Sequence, residues 1–373
     1  MKERIFFDNN ATTKIADEVL SAMTKAYSEP LNSSSIHYFG RTATRLSNAA
    51  REHVKKLLGA ANYQVIFTSG GTESNNLAIF GFKDYPVVTT AIEHPAVYNV
   101  ALKKNGKIVK VSNDGIIDLI DLEEQIKSLN TKNFIVSVMF ANNETGAIQP
   151  IKEVAKLAHQ YGGLMHSDIV QATGKVDINL EDLNVDLASV SSHKLNGPQG
   201  VGALLIRKSL DIDPILYGSA QEGGKRPGTL NIAGVVGLGE ACRLSVDKIA
   251  KYKELGKLRD YLEESLINIA GSDVVIFSRN IERLPNTSYI ATRGVDNQTQ
   301  LIDFDLNGIA VSIGAACSSG SSKPSRVLAA MNVDDNLAKN TVRVSLGLEN
   351  TKEQVDKFIE VWTNLYKKTR NEK

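Results

Sequence analysis

Ser191-Ser192-His193-Lys194-Leu195-Asn196-Gly197-Pro198-Gln199-Gly200-Val201-Gly202 is the stretch on which the reading of this chain turns. One apolar run, Val185 to Val190, precedes it and another, Ala203 to Ile206, follows, so Lys194 falls on a Gly- and Pro-rich connector between two predicted strands. A lysine on such a connector, beside hydroxyls and an imidazole, suits a partly desolvated pocket that favours its neutral, nucleophilic form. Solvated loops carry the same triplet more often, so the triplet alone decides nothing.

Outward from this connector, apolar strands alternate with amphipathic helices. Strands are predicted at 5–7, 64–68, 87–90, 107–111, 134–140 and 164–166, with helices at 16–27, 42–58, 96–104, 119–129 and 151–161. This alternation predicts an α/β fold: a mainly parallel sheet covered by helices on both faces, with ligands gathered at the carboxyl ends of the strands. A long charged helix starting near Lys248 leads to a smaller α+β domain. The division is expected at residues 14–255 for the large domain, with 1–13 and 256–373 forming the small one.

A length of 373 residues fits about two domains. Lys plus Arg number 43 against 42 Asp plus Glu, which leaves no basic excess for nucleic acid. Two cysteines, Cys242 and Cys317, do not make a disulfide framework and suit a reducing cytosol. The segment Met1 to Asp8 lacks the apolar core of a signal peptide, and no stretch approaches a membrane span. The expectation is a cytoplasmic protein that handles a small molecule, with no nucleic-acid, membrane or metal partner.

Several polar groups fall just past predicted strands. Ser69-Gly70-Gly71-Thr72-Glu73-Ser74 opens a helix, where glycines let backbone N–H groups approach an anion and the helix terminus adds positive charge. An ordinary turn capped by Thr72 or Ser74 is the plainer alternative. His94, in Glu93-His94-Pro95, reads either as a turn histidine or as a ring stacked on a planar cofactor. The amides of Asn142 and Asn143 suit Asx turns. Asp168 suits a cationic ring nitrogen or a structural salt bridge. Taken together, an anion turn, a histidine, an asparagine, an aspartate and a loop lysine are the set that pyridoxal 5'-phosphate requires.

Asp8-Asn9-Asn10-Ala11-Thr12-Thr13, Thr68 to Ser74, Glu93-His94-Pro95-Ala96-Val97, Asn142-Asn143-Glu144, Ser191-Ser192-His193-Lys194 and Arg226-Pro227-Gly228-Thr229 resemble the NifS/IscS-type cysteine desulfurases in sequence and in order. Those enzymes have the fold-type I, class-V aminotransferase-like architecture and use pyridoxal phosphate. The resemblance implies Lys194 as the lysine bonded to the cofactor, Asp168 on its ring nitrogen, Gln171 on the ring hydroxyl side and His94 stacked on the ring. It places Asn143 nearby, and Gly71, Thr72, Ser191 and His193 around the phosphate. Thr229 matches a threonine that reaches the phosphate of a partner subunit, which implies a homodimer with shared active sites. Arg343, in Val342-Arg343-Val344-Ser345, matches the arginine that grips the substrate carboxylate, with Asn32 assisting.

Cys317 lies in the small-residue run Gly314-Ala315-Ala316-Cys317-Ser318-Ser319-Gly320 and resembles the family nucleophile. The implied reaction converts L-cysteine to L-alanine with a persulfide on Cys317, passed on to a sulfur-acceptor protein for iron–sulfur clusters, tRNA thiolation or another thio-cofactor. Cys242 reads as a buried structural thiol. The chain departs from the family pattern in four places: Ile169 stands where alanine lies beneath the ring, Ser192 replaces a glycine, Asn32-Ser33 replaces Asn-Pro, and Gly218-Ser219-Ala220-Gln221-Glu222 replaces a glycine-rich run. The alternatives are a selenocysteine lyase, another class-V enzyme such as an aminotransferase, and a catalytically silent binding protein.

Overall fold

A computed structural model of the chain describes residues 4–313 and 325–371. After the short strand Ile5–Phe6 (β1), the main sheet is built from Tyr63–Thr68 (β2), Val87–Thr90 (β3), Lys107–Val109 (β4), Ile135–Ser137 (β5), Leu164–Asp168 (β6), Leu187–Ser191 (β7) and Gly202–Arg207 (β8). Their spatial order is β2-β8-β7-β6-β5-β3-β4. The strand β8 runs antiparallel to both neighbours, and the pairings from β7 to β4 are parallel. Every residue of β3, β5 and β7 is buried, because helices cover both faces of the sheet. As expected from the alternation, the architecture is α/β.

The carboxyl ends of β2, β3, β5, β6 and β7 meet along one edge, where the connectors carrying Gly71, His94, Asn143, Asp168 and Lys194 begin. Beside them, β8 starts at Gly202, which pairs with both Thr68 and Ser191. A Cβ at Gly202 would lie 2.5 Å from the Val190 carbonyl oxygen and 2.7 Å from the Gly70 backbone. The glycine therefore lets the Gly70 turn and the lysine connector approach each other.

The helix expected from about Lys248 starts much earlier and spans Ile232–Ala270, 39 residues in all. Gly234, Gly237 and Gly239 weaken its helical signal in the sequence, yet they are what permits its packing. A Cβ on Gly239 would lie 2.6 Å from Ala50, and one on Gly237 would lie 2.7 Å from the Met23 sulfur. The first half of the helix contributes Val235, Leu238 and Cys242 to the core of the main sheet. Its second half contributes Tyr252, Leu255, Leu262 and Leu266 to a separate core.

That second core underlies a three-stranded antiparallel sheet formed by Val274–Ile276 (β9), Thr287–Thr292 (β10) and, after Ile309–Ala310 (β11), Thr341–Ser345 (β12), in the order β12-β10-β9. Trp362 anchors it, with its indole N–H donating to Thr292 Oγ1 at 3.0 Å. The chain start belongs here too, since β1 pairs in parallel with β11 and Asp8 bridges to Ser345. Residues just after β1 thus cross from the small sheet to the edge of the large one. Among the described residues no helix is long and apolar enough to cross a membrane.

The close approach at Gly202 predicts that Gly202→Ala loses about 1–3 kcal/mol of stability, through overpacking against backbone that has no room to shift. Urea denaturation tests this, and an unchanged midpoint with an unchanged slope would contradict the packing described.

Candidate active site

A cavity of about 360 Å³ opens at the strand ends. Its lining includes Gly71, Thr72, His94, Asn143, Asp168, Gln171, Ser191, His193, Lys194 and Arg343. Sequence reasoning singled out each of these, and the fold brings them together from six separate connectors or strands.

At one end of the cavity lies the N-terminus of the helix Gly71–Phe80. Its N-cap is Gly70, at φ +153°, and neither Thr72 nor Ser74 caps it with a side chain. Ser74 is turned inward, its hydroxyl 2.7 Å from that of Thr68. A Cβ on Gly71 would come within 2.9 Å of Val170, so the glycine keeps open a cradle of backbone N–H groups flanked by Ser191 and His193. Glu73 steadies this turn by accepting from the Ser69 N–H at 2.7 Å and from Arg226 at 2.8 Å. Burial alone would raise the Glu73 pKa, but these donors outweigh it and hold the carboxyl below its usual range.

Asp168, at the end of β6, lies toward the other end and is buried. Its carboxylate accepts from the Asn75 side-chain amide at 2.7 Å and from the Val170 N–H at 3.0 Å. Those neutral donors take the place of the salt bridge that was the plainer expectation, and they leave the negative charge available to a ligand.

His94 is a turn histidine that also lines the cavity. With Pro95 at the first helical position, its Nδ1 accepts from the Ala96 N–H at 3.1 Å and caps the helix Pro95–Lys103. Burial, followed by the opposed effects of Asp168 and Lys194, pushes its pKa below the ordinary range. At neutral pH the ring is therefore neutral, with its proton on Nε2. Asn142 accepts from the Glu144 and Thr145 N–H groups, an Asx turn that presents Asn143 at the cavity wall.

Lys194 sits on the one-turn helix Ser192–Lys194 that follows β7. Its Nζ donates to the backbone oxygens of Asn10 at 2.5 Å and Ala11 at 2.6 Å. Arg343 reaches in from β12 and is 3% exposed. One arm of its guanidinium meets Asp8 at 2.6 Å and the other the Asn143 carbonyl at 2.9 Å. Its Nε is buried with no hydrogen-bond partner among the described residues.

Other sequence-predicted residues lie elsewhere. Asn32 is exposed and accepts from the Ser34 N–H at 3.0 Å, and it is not in the cavity lining. Thr229 is also exposed and outside the lining. Cys317 lies outside the described residues. Cys242 is fully buried, and burial pushes its thiol up to about 12, which makes it unreactive.

The sequence reading placed Ile169 beneath a bound ring, and the structure corrects this. Ile169 is fully buried in the main core, and Val170 lines the cavity instead. Alternation continues past β6, so Asp168 and Val170 face one side and Ile169 the other. Asn10, Asn75 and Met139 also line the cavity without having been singled out. Asn10 stands inside a quoted motif, but the sequence carries no sign that its carbonyl faces Lys194.

An anion cradle, a carboxylate with an unused charge, a neutral imidazole and an amine between them fit a flat, phosphorylated, cationic ring. Across residues 5–358 the chain matches the family model described as aminotransferase class-V. It is 40% identical to the cysteine desulfurase IscS of Dictyoglomus turgidum, over 99% of this chain and 96% of that protein. It is 38% identical to the cysteine desulfurase IscS of Methanosarcina thermophila, over 98% and 93%. Among solved structures, a NifS-like protein from Rickettsia africae matches with a TM-score of 0.92 at 37% identity, over 98% of this chain and all of that one.

One buried histidine, His166, and one half-buried histidine, His193, give the fold an acid limit. Burial pushes His166 down to about 3, and burial with the nearby Lys194 and Lys175 pushes His193 down to about 4. The unfolded chain, with ordinary pKa values of 6.5, binds these protons more tightly. Their contribution is therefore intact above about pH 6.5 and is lost as the pH falls toward 4. Urea midpoints measured across that window should fall, and His193→Asn should flatten the fall; an equal slope in the variant would contradict the assignment.

Proposed function

This chain belongs to the class-V aminotransferase family, among its cysteine desulfurases, and from that premise we propose that it converts L-cysteine to L-alanine, using pyridoxal 5'-phosphate and passing the sulfur to Cys317 as a persulfide. What carries the reading is the convergence of Lys194, Asp168, His94, the Gly71 helix terminus and Arg343 on one cavity. Bound there, the cofactor supplies an electron sink for negative charge on the substrate α-carbon.

Lys194 would hold the cofactor covalently, and its Nζ would take the α-proton of the substrate. Gly71, Thr72, Ser191 and His193 would hold the phosphate, Asp168 would pair with the ring nitrogen, and Gln171 and Asn143 would lie alongside. His94 would cover the ring face and move a proton through Nε2, since its Nδ1 is engaged by Ala96. Arg343 grips the substrate carboxylate, assisted by Asn32; its Nε, without a partner among the described residues, is a donor in want of an acceptor. Cys317, as thiolate, attacks the substrate sulfur. The new S–S bond forms as the substrate C–S bond breaks, and the carbon fragment takes up one proton at Cβ, regains the α-proton from Lys194 Nζ and leaves as alanine.

The same reading makes the protein a cytoplasmic homodimer in which Thr229 completes the partner's phosphate site. It divides the chain into a large domain of residues 14–255 and a small one of residues 1–13 and 256–373. A sulfur-acceptor protein takes the persulfide onward.

Incubation with L-cysteine should add one sulfur atom to the Cys317 peptide by mass spectrometry, with alanine released. Cys317→Ser should abolish alanine formation while leaving the cofactor bound. Undiminished alanine formation by the serine variant would instead identify a lyase or aminotransferase.

A further inference from the structure

Lys175 is 2% exposed and is among the largest fully buried side chains of the molecule. Its ammonium donates to Gln171 Oε1 at 3.1 Å and to Asn10 Oδ1 at 3.3 Å, both neutral oxygens. No carboxylate pairs with it among the described residues. Enclosing a cation without a counter-charge costs stability, and an apolar side chain of similar volume avoids that cost. Packing alone therefore gives no reason for a lysine at this position.

Its two partners supply one. Gln171 turns its other end to the Asn10 backbone oxygen, donating at 2.9 Å. That same oxygen accepts from Lys194 Nζ at 2.5 Å. Asn10 Oδ1, shared with Lys175, also accepts from Asn286 at 3.2 Å, and the Asn10 amide donates to Thr287 Oγ1 at 2.9 Å. A continuous chain of hydrogen bonds thus runs from Lys175 through Gln171 and Asn10 to the amine of Lys194, and ties both to the small sheet.

We propose that Lys175 is a positioning residue for Lys194: through Gln171 and Asn10 it fixes the carbonyl on which the reacting amine rests, and it sets a like charge behind that amine. This rests on the reading of Lys194 given above. The charged and titratable groups around the pair are His193 beside Lys194, Arg343 with its partner Asp8 from the small-sheet side, and Asp168 and His94 across the cavity. Burial first, then Lys194 and Arg343, push Lys175 down to about 7. Because the unfolded chain holds the same proton far more tightly, the lysine weakens folding at neutral pH, and this penalty fades as the pH rises toward 10.5.

Lys175→Met tests the proposal, with Lys175→Gln, which keeps a donor and loses the charge, as a second variant should the first fail to fold. The cofactor-free methionine variant should melt no lower than the parent at pH 7. In the loaded protein, the visible absorbance that reports the proton on Lys194 Nζ should titrate about one pH unit higher, since a like charge has been removed. With cysteine, kcat should fall by about tenfold or more while KM changes by less than about threefold. A variant with the parent's titration and kcat would overturn the proposal, and so would a loss of activity matched by an equal loss of folded protein. A parent protein that forms no alanine would refute the desulfurase reading instead, while the melting and titration comparisons would still judge Lys175.

Discussion

The backbone oxygen of Asn10 accepts from both Gln171 and Lys194, and the rest of the site is arranged around it. That oxygen is in place because the chain start is pinned to the small sheet. The Asn10 N–H donates to Ser345 Oγ at 2.9 Å and the Asn9 side chain to the Ser345 carbonyl at 3.0 Å. Thr13 continues the clasp by binding the His193 carbonyl through both its N–H and its hydroxyl. A segment held at one end by β12 and at the other by the lysine connector makes the position of Lys194 depend on both sheets. Arg343, which also comes from β12, is aligned by the same contact through Asp8 and Asn143.

Charge is the second constraint. Lys194 and Arg343 bring two cations to the cavity, Lys175 lies behind them, and the helix terminus at Gly71 adds partial positive charge. Facing them, Asp8 is committed to Arg343 and Asp168 lies across the cavity. Buried charge is tolerated when it is paired, so the excess of cations favours anionic guests. A phosphate at the helix terminus and a substrate carboxylate at Arg343 would restore the balance. The neutral His94 fits the same accounting, because a further cation there would be repelled by Lys194 and Arg326.

Much of this was legible from the sequence because strand ends in an α/β sheet announce themselves. Apolar runs that stop at Thr68, Thr90 and Val190 each hand over to polar residues that the fold then gathers. The glycine-bearing start of the helix Ile232–Ala270 was not legible, since helix propensity takes no account of the close packing against Ala50 and Met23 that rewards a missing Cβ. Ile169 and Val170 were exchanged because both are apolar, and only the register of β6 says which faces the cavity. Lys175, after Thr173-Gly174, carries no sign of its burial in the sequence, because lysines are seldom fully buried.

The central claim is that, of the two lysines sharing the Asn10 network, Lys194 forms the bond to the cofactor and Lys175 does not. Loading the protein with pyridoxal 5'-phosphate, reducing it with borohydride and mapping the peptides by mass spectrometry measures this directly. The account predicts a phosphopyridoxyl group on Lys194 alone. The same group on Lys175, or no modified lysine in a protein that had taken up the cofactor, would contradict it.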